Sequence, residues 1–530
     1  MFSTILTAAI CGMDAVIIHV EVDVSQGLPG FLMVGYLGSE VKEAGERVRV
    51  ALKNAGIAIP PMKITVNLSP ADIRKGGTGY DLPVAVGILL ALGHVEKERT
   101  EKVMFAGELS LDGEVNEIRG VLPMVRAAKE SGMKRCIVPW ENENEGALIS
   151  GIEVTGVSSL GEVIELLRGG ITESRRPQGE AKIREGRKEG KGVWVMRRDD
   201  GRKEQKEPDF ADVKGQAGAK RAAEIAAAGF HNLLLFGPPG SGKTMIARRI
   251  PGILPELTEE ESLEVSSVYS ISGLLSRKNS LIFTRPFLSP HHTVTAQALS
   301  GGGRNPKPGV ISLAHKGILF LDEMPEFGSN VLNLLRQPLE EKKIQIARIG
   351  GNYEYPADFM LVGAMNPCPC GYYPDMERCR CTENAIRKYQ SRLSGPILDR
   401  IDIFAEVPAL CMEELSFGRS KPEDERESSA SIRSRVLLAR KMQEERGSGK
   451  FNALLTPEET DRFCETDREG KQLLKKVFGK MKLSARAYYR ILRVARTIAD
   501  LDGCVEIKKI HLAEAVSCRA DGICPEKRGS

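Results

Sequence analysis

An apolar run at residues 232–236 (NLLLF) leads straight into Gly237, Pro238, Pro239, Gly240, Ser241, Gly242, Lys243 and Thr244, and then into residues 245–249, which read as a helix. Strand, glycine-rich loop and helix in that order is the setting in which G-x-x-x-x-G-K-[ST] cradles phosphates. The glycines let backbone N–H groups turn inward, and the helix adds the positive end of its dipole. Lys243 is expected to reach the β- and γ-phosphates of ATP, and the Thr244 hydroxyl to ligate Mg²⁺. A loop of this kind requires a parallel α/β sheet around it, which narrows the fold class before anything else is known.

The flanking sequence agrees. Strand-like runs at 232–236, 318–321 and 359–364 alternate with helical ones, as a parallel sheet demands. Residues 1–169 alternate shorter β-rich runs (16–24, 63–67, 136–138) with helical ones (39–54, 121–131, 160–167), an α/β pattern. Between them, over 170–208, the hydrophobic pattern gives way to Arg, Lys, Glu and Gly and reads as a flexible linker. A charged stretch at 417–429 precedes a helix-rich segment with Tyr488, Ile491, Leu492, Ala495, Ile498 and Ala499 at helical spacing. The expected architecture is an α/β multidomain chain: an α/β domain at 1–169, the linker at 170–208, a phosphate-loop core with a parallel sheet at 209–409, and a helical lid at 410–530.

Composition excludes other classes. With 530 residues, 42% hydrophobic and 28% charged, the chain is neither disordered nor fibrous and has room for about three or four domains. A net charge of +4 is too small for a uniformly basic nucleic-acid coat, so any nucleic-acid site must be local. No apolar run reaches the roughly 18 residues of a membrane span. Residues 1–24 lack a basic leader and carry Asp14, His19, Glu21 and Asp23, so a cytoplasmic protein without a membrane partner is expected. Eleven scattered cysteines do not make a secreted disulfide framework.

Two further strands bear on the phosphate loop. Residues 317–321 (GILFL) form a buried strand ending in Asp322 and Glu323. On a strand adjacent to the phosphate loop, Asp322 can serve the metal, making it a second Mg²⁺ ligand beside Thr244, and Glu323 can polarise the attacking water. The strand at 359–364 leads into Asn366, which either contacts the γ-phosphate and orients water or caps a turn before Pro367.

These residues in this order resemble the AAA+ ATPases. The resemblance makes Asn366 the polar sensor, Arg400 (in 396–402, PILDRID) the arginine finger offered to a neighbouring subunit's ATP, and Arg486 (in 483–490, LSARAYYR) the second sensor on the lid. The long stretch from 244 to 317, with 288–292 (LSPHH), 300–309 (SGGGRNPKPG) and 311–317 (ISLAHKG), is similar to the Mg-chelatase ATPase subunit and, more closely, to the ComM/YifB family. That likeness covers nearly the whole chain. It implies a ring-forming ATPase, a hexamer of this chain, acting as a branch-migration helicase on branched DNA during recombination of incoming strands. The rival class is a protein-remodelling or chelatase-like ATPase, and a third reading is an ATP-dependent peptidase.

The third reading comes from the first domain. Residues 107–115 (GELSLDGEV), Ile118, Arg119, Gly120, Ala127, Ala128, Gly132 and Pro139 resemble the Lon-type peptidase domain, whose catalysis needs Ser and Lys. Residues 70–83 laid on the nucleophile loop put Tyr80 near the Ser position, and the Lys position falls near Leu122. A catalytically inactive scaffold is expected, with Ser69, Lys75 and Ser110 the residues of the rival reading.

Cys368, Cys370, Cys379 and Cys381 cluster after Asn366. Four thiolates suit tetrahedral Zn²⁺, although C-x-C is tighter than the usual spacing. Packing thiols and redox-active thiols are the alternatives. His291 and His292 are expected to pack in their loop or touch DNA. Residues 341–355 read as a hairpin of the kind that lines the pore of related motors, with Lys342, Lys343 and Arg348 as candidate phosphate contacts, and Arg304 and Lys307 as similar candidates in the Gly-rich insert.

Overall fold

The computed structural model describes residues 1–169, 208–303, 306–348, 351–409, 427–447, 449–481 and 484–519. The linker expected over 170–208, apart from Pro208, most of the charged stretch at 417–429, the hairpin residues 349 and 350, and Arg304 lie outside the described residues. The chain divides into two compact units. One takes the described part of Met1–Lys206 with Ser266–Ile282 and Ala347–Tyr353, and the other takes Glu207–Val265, Phe283–Ile346 and Glu354–Ser530 as far as described. No helix among the described residues is long and apolar enough to cross a membrane.

The first unit is built on a mixed seven-stranded sheet. Its strands are β1 (Phe2–Cys11), β2 (Asp14–Ser25), β3 (Gly30–Val34), β4 (Lys63–Ser69), β5 (Val103–Phe105), β6 (Arg135–Pro139) and β7 (Glu153–Val157), in the order β3-β4-β2-β1-β5-β6-β7. β1 and β2 form a long antiparallel hairpin, and β5, β6 and β7 run parallel. Alternation in β2 sends Ile18, Val20, Val22 and Val24 into the core while His19 faces out. Helices α1 (Ala44–Asn54), α2 (Asp81–Ala91), α3 (Val121–Glu130) and α4 (Leu160–Leu167) accompany the sheet. The helix expected over 39–54 is broken at Glu43. α2 is apolar on every side and almost wholly buried, so it carries no amphipathic period by which to find it.

At the start of α2, Asp81 is fully buried and takes a bidentate bond from Arg47, Nε at 2.7 Å and Nη2 at 2.9 Å, plus the backbone N–H of Leu109 at 3.2 Å. Burial raises the Asp81 carboxyl despite its partner. The segment Ser266–Ile282 belongs to the same unit: Ser270 Oγ donates to the buried Glu145, and the Arg277 guanidinium lies 3.3 Å from the centre of the Trp140 ring.

The second unit has a five-stranded parallel sheet. Its strands are β8 (Leu233–Phe236), β9 (Phe287–Leu288), β10 (Ile318–Leu321), β13 (Met360–Met365) and β14 (Ile403–Glu406), ordered β9-β10-β13-β8-β14; β11 (Lys343–Arg348) and β12 (Gly351–Pro356) form a separate hairpin. α5 (Ala217–Gly229), α6 (Lys243–Ala247), α7 (Glu259–Ser272), which crosses into the first unit, and α8 (Arg336–Glu341) belong to the nucleotide core. α9 (Ser429–Glu445), α10 (Ala485–Leu501) and α11 (Lys509–Ser517) form the helical part. One continuous apolar core joins sheet and helices: Leu233, Leu235, Val362 and Ile403 pack with Ala226, Ile432, Ala495 and Ile498.

Because Asp81 cannot be solvated, losing its guanidinium partner leaves a buried charge. Arg47→Ala should destabilise the first unit by about 3–5 kcal/mol at neutral pH. A carboxyl already raised by burial takes a proton more readily once Arg47 is gone, so the deficit should shrink as pH falls. Urea unfolding at about pH 7 and about pH 4.5 reads this, and an equal deficit at both would count against the assignment.

Candidate functional site

The register of the parallel sheet aligns Phe236 with Met365, so Gly237 and Asn366 leave their strands side by side. The acid-bearing β10 is not next to β8, since β13 lies between them. Asp322 nevertheless meets the phosphate loop: Thr244 Oγ1 donates to its Oδ2 at 2.8 Å. Glu323, one residue on, is exposed, with φ of 49° in the left-handed region that only glycine adopts freely. Its backbone N–H is held by Asp322 Oδ1 at 3.0 Å.

Gly237 has no room for a side chain, because a Cβ would lie 2.0 Å from the Val407 carbonyl oxygen. Gly240 and Gly242 have φ of 74° and 98°, the turn that faces N–H groups inward. The Ser241 Oγ is buried without a hydrogen-bond partner. Lys243, also buried, donates to the carbonyls of Gly237 and Pro238, both at 2.7 Å, and to Asn366 Oδ1 at 3.1 Å. Burial lowers Lys243 to about 8, against the pull of Asp322 and Glu323. A loop with inward N–H groups, an orphaned hydroxyl and an ammonium satisfied only by neutral oxygens, two loop carbonyls and the Asn366 amide, fits a polyphosphate, and the Thr244–Asp322 pair fits Mg²⁺.

Three residues at this site carry no sequence motif. Gln216 donates from Nε2 to the carbonyls of Ser241 (3.2 Å) and Pro408 (2.7 Å), fastening the loop to the chain after β14. The Tyr389 hydroxyl, pushed up to about 12 mainly by burial, is hydrogen-bonded to the backbone of Asn366. Its neighbour Gln390 donates to the Pro367 carbonyl at 3.0 Å.

The four cysteines converge, all sulfurs within 4.8 Å of one another. Cys368 Sγ lies 3.3 Å from Cys370 and 3.8 Å from Cys379, and Cys370 lies 3.6 Å from Cys379. Tetrahedral zinc with Zn–S near 2.3 Å implies sulfurs about 3.8 Å apart. Gly371 and Tyr373 donate backbone N–H groups to Cys368 Sγ, and a backbone bond from Tyr372 leads the groups that pull Cys370 down to about 6. The donor set therefore fits Zn²⁺ despite the short C-x-C spacing. The loop also rests on the phosphate loop: a Cβ on Gly371 would lie 2.5 Å from Pro239 Cδ.

Arg400 and Arg486 are brought together away from these groups. Arg400 Nη2 lies 2.5 Å and Arg486 Nη1 3.2 Å from the same oxygen, Glu340 Oε1. Arg400 is only 7% exposed, and its Nη1 donates to the Pro396 carbonyl, whereas Arg486 is 66% exposed.

The cations of the β11–β12 hairpin are partly spoken for. Lys342 pairs with the buried Asp358 at 3.4 Å, which also holds Lys316 at 3.0 Å, and Lys343 pairs with Glu354 across the hairpin at 3.0 Å. Arg348 and Lys307 are exposed. His291 and His292 stack at 4.1 Å, with Phe327 edge-on to His292. In the first unit Tyr80 is 3% exposed and Leu122 fully buried, so a phenol and an aliphatic chain fill the positions matched to the peptidase pair. Lys75 donates to the Pro70 carbonyl, and Ser110 Oγ accepts from Asn116 at 2.7 Å.

The buried ammonium gives a pH signature. A bound triphosphate should return Lys243 from about 8 toward its ordinary 10.5, so the bound state holds more protons between those values. ATP binding should take up a proton there and weaken as pH rises past about 8, by up to about tenfold per pH unit. Calorimetry in buffers of different ionisation enthalpy measures this, and an absence of proton linkage would contradict it.

Comparison with known proteins agrees with this geometry. Residues 209–415 match the family described as Magnesium chelatase, subunit ChlI; residues 20–142 match Subunit ChlI of Mg-chelatase; residues 426–519 match Magnesium chelatase, subunit ChlI C-terminal. Competence protein ComM of Haemophilus influenzae is 42% identical over 520 residues, covering 97% of each chain. YifB of Escherichia coli is 42% identical over 518 residues, covering 98% of this chain and 97% of its own. Lon protease 2 of Bacillus subtilis is 34% identical over 128 residues, 24% of this chain, which accounts for the Lon-like character of the first domain. Similarity at this level along almost the full length, with the phosphate loop, acid strand and sensor strand in one parallel sheet, means that the chain belongs to the ComM/YifB family of Mg-chelatase-like AAA+ ATPases.

Proposed function

We propose that the protein is an ATP-driven DNA motor, a hexameric ring that moves branched DNA as a branch-migration helicase in the recombination of incoming strands. The observation that carries this reading is the conjunction of a phosphate loop, paired with an acid-bearing strand, and 42% identity, over 97% of both chains, to a protein named Competence protein ComM. The proposed division is a catalytically inactive Lon-like domain at 1–169, a linker at 170–208, the ATPase core at 209–409 and the lid at 410–530.

In the mechanism, Lys243 exchanges the Gly237 and Pro238 carbonyls for the β- and γ-phosphates. Thr244 and Asp322 would hold Mg²⁺, which neutralises phosphate charge when bound. Glu323 polarises the attacking water, while Asn366, released by Lys243, orients it. Arg400 of the next subunit supports charge developing on the γ-phosphate. The lid follows the nucleotide state through Arg486, and the hairpins carry that motion to DNA. The pairing of Lys342 with Asp358 and of Lys343 with Glu354 favours a second reading, protein remodelling, because it leaves less charge for phosphates.

ATPase rates with three- and four-way junctions, linear duplex, single strands and unfolded protein decide between the two. Junctions should stimulate most and be moved, and Glu323→Gln should lose about 10²–10⁴-fold in turnover while still binding ATP. Stimulation by unfolded protein alone would favour remodelling. For the cysteine loop, purified protein should carry about one Zn²⁺ per chain, as four thiolates require. Changing Cys370 and Cys381 to Ser should remove it and, because Gly371 rests on Pro239, weaken binding of a fluorescent ATP analogue. Metal-free wild-type protein by elemental analysis would leave packing or redox roles.

A further inference from the structure

Glu340, the penultimate residue of α8, has no part in the phosphate site, yet two arginines from distant parts of the chain end on one of its oxygens. Arg400 comes from the loop before β14 and Arg486 from the first turn of α10. Arg336, on the same helix, adds to the positive field around the carboxylate, and together these groups hold Glu340 below the usual range, Arg400 contributing most. Glu340 and Arg486 are well exposed, at 46% and 66%, so their pairing adds little to stability. Its effect is geometric, since one anion sets the separation of two guanidinium groups.

The nearby Asp402 does not do this. Asp402 is taken by Arg490 at 3.3 Å and by the backbone N–H of Asn232 at 3.0 Å. The backbone of Arg400 is fixed too, its carbonyl accepting from Asn232 Nδ2 at 2.8 Å, so only the side chain is free to exchange partners. Its Nε is buried without a partner, leaving hydrogen-bonding capacity unspent.

We propose that Glu340 is a positioning residue for hydrolysis in the neighbouring subunit: it stands in for phosphate, holding Arg400 and Arg486 side by side so that both meet the same incoming γ-phosphate. This rests on the reading that Arg400 acts across the subunit boundary. The exchange involves ion pairs only, and the arginines stay protonated throughout.

The test uses the full-length ring. Glu340→Gln should lower kcat for ATP at least about tenfold while KM changes less than about twofold, because the lost group orients transition-state contacts and not ground-state binding. Glu340→Asp, keeping the charge, should recover most of the rate. Glu340→Gln added to Arg400→Ala should cost nothing further, since both remove one function. Arg486→Ala should show the same non-additivity with Glu340→Gln, and Glu340→Ala, read by the same kcat and KM, keeps the test open if the amide variant folds poorly. In mixed rings, Glu340→Gln subunits should regain activity with Glu323→Gln subunits but not with Arg400→Ala subunits. A kcat within about twofold of wild type for Glu340→Gln, or full multiplicative loss in the double variant, would overturn the proposal. Should Arg400→Ala complement Glu323→Gln while Glu340→Gln does not, the role of Glu340 alone falls. If neither complements in rings shown by native mass measurement to be mixed, the reading of Arg400 in trans falls and the proposal with it.

Discussion

A lysine at the head of a phosphate loop has to be kept out of bulk water and yet available, and the arrangement around Lys243 meets both conditions. Its ammonium is satisfied by two loop carbonyls and by the amide of Asn366, none of which is an anion. The carboxylates that would hold it too firmly are engaged elsewhere: Asp322 with the Thr244 hydroxyl and the N–H of Glu323. The lysine is thus desolvated without a direct ion pair, and an arriving polyphosphate has only neutral hydrogen-bond partners to displace, against the longer-range pull of Asp322 and Glu323. The order of strands contributes, because β13, which ends one residue before Asn366, lies between the loop strand and the acid-bearing strand.

The same strand ties the cysteine loop to the phosphate loop. Asn366, Pro367 and Cys368 are consecutive, and Tyr389 and Gln390 brace the first two from one helix end. Gly371, at φ of 87°, turns the loop back until it touches Pro239. A four-sulfur cluster in such a place is a means of stiffening a segment that has no hydrophobic core of its own beyond Cys368, Cys379 and Ile386.

Short-range chemistry was legible in the sequence and long-range pairing was not. The residues from Gly237 to Thr244 announce themselves because eight neighbours create the site, and Asp322, Glu323 and Asn366 follow from apolar runs ending in polar groups. Strand order cannot be read that way: nothing local reveals that β13 separates the acid strand from the loop strand. α2 escapes pattern reading because it is buried all round, and α1 is shorter than its periodicity implies because Glu43 interrupts it. Lys342 and Lys343 look like phosphate contacts in a string of letters, but their acids, Asp358 and Glu354, come from the returning side of the hairpin. Glu340 was invisible for the same reason, its partners lying 60 and 146 residues away.

Asn232 has the last consequence. Its side-chain amide donates to the carbonyl of Arg400 and accepts from the N–H of Leu361 in β13, both at 2.8 Å, while its own backbone opens the run into β8. One small residue thereby welds the backbone at Arg400 to the feet of two strands whose far ends lead into the phosphate loop and Asn366. A shift of those strands is carried straight to Arg400, with the stiffness of a gear train rather than the give of a loop.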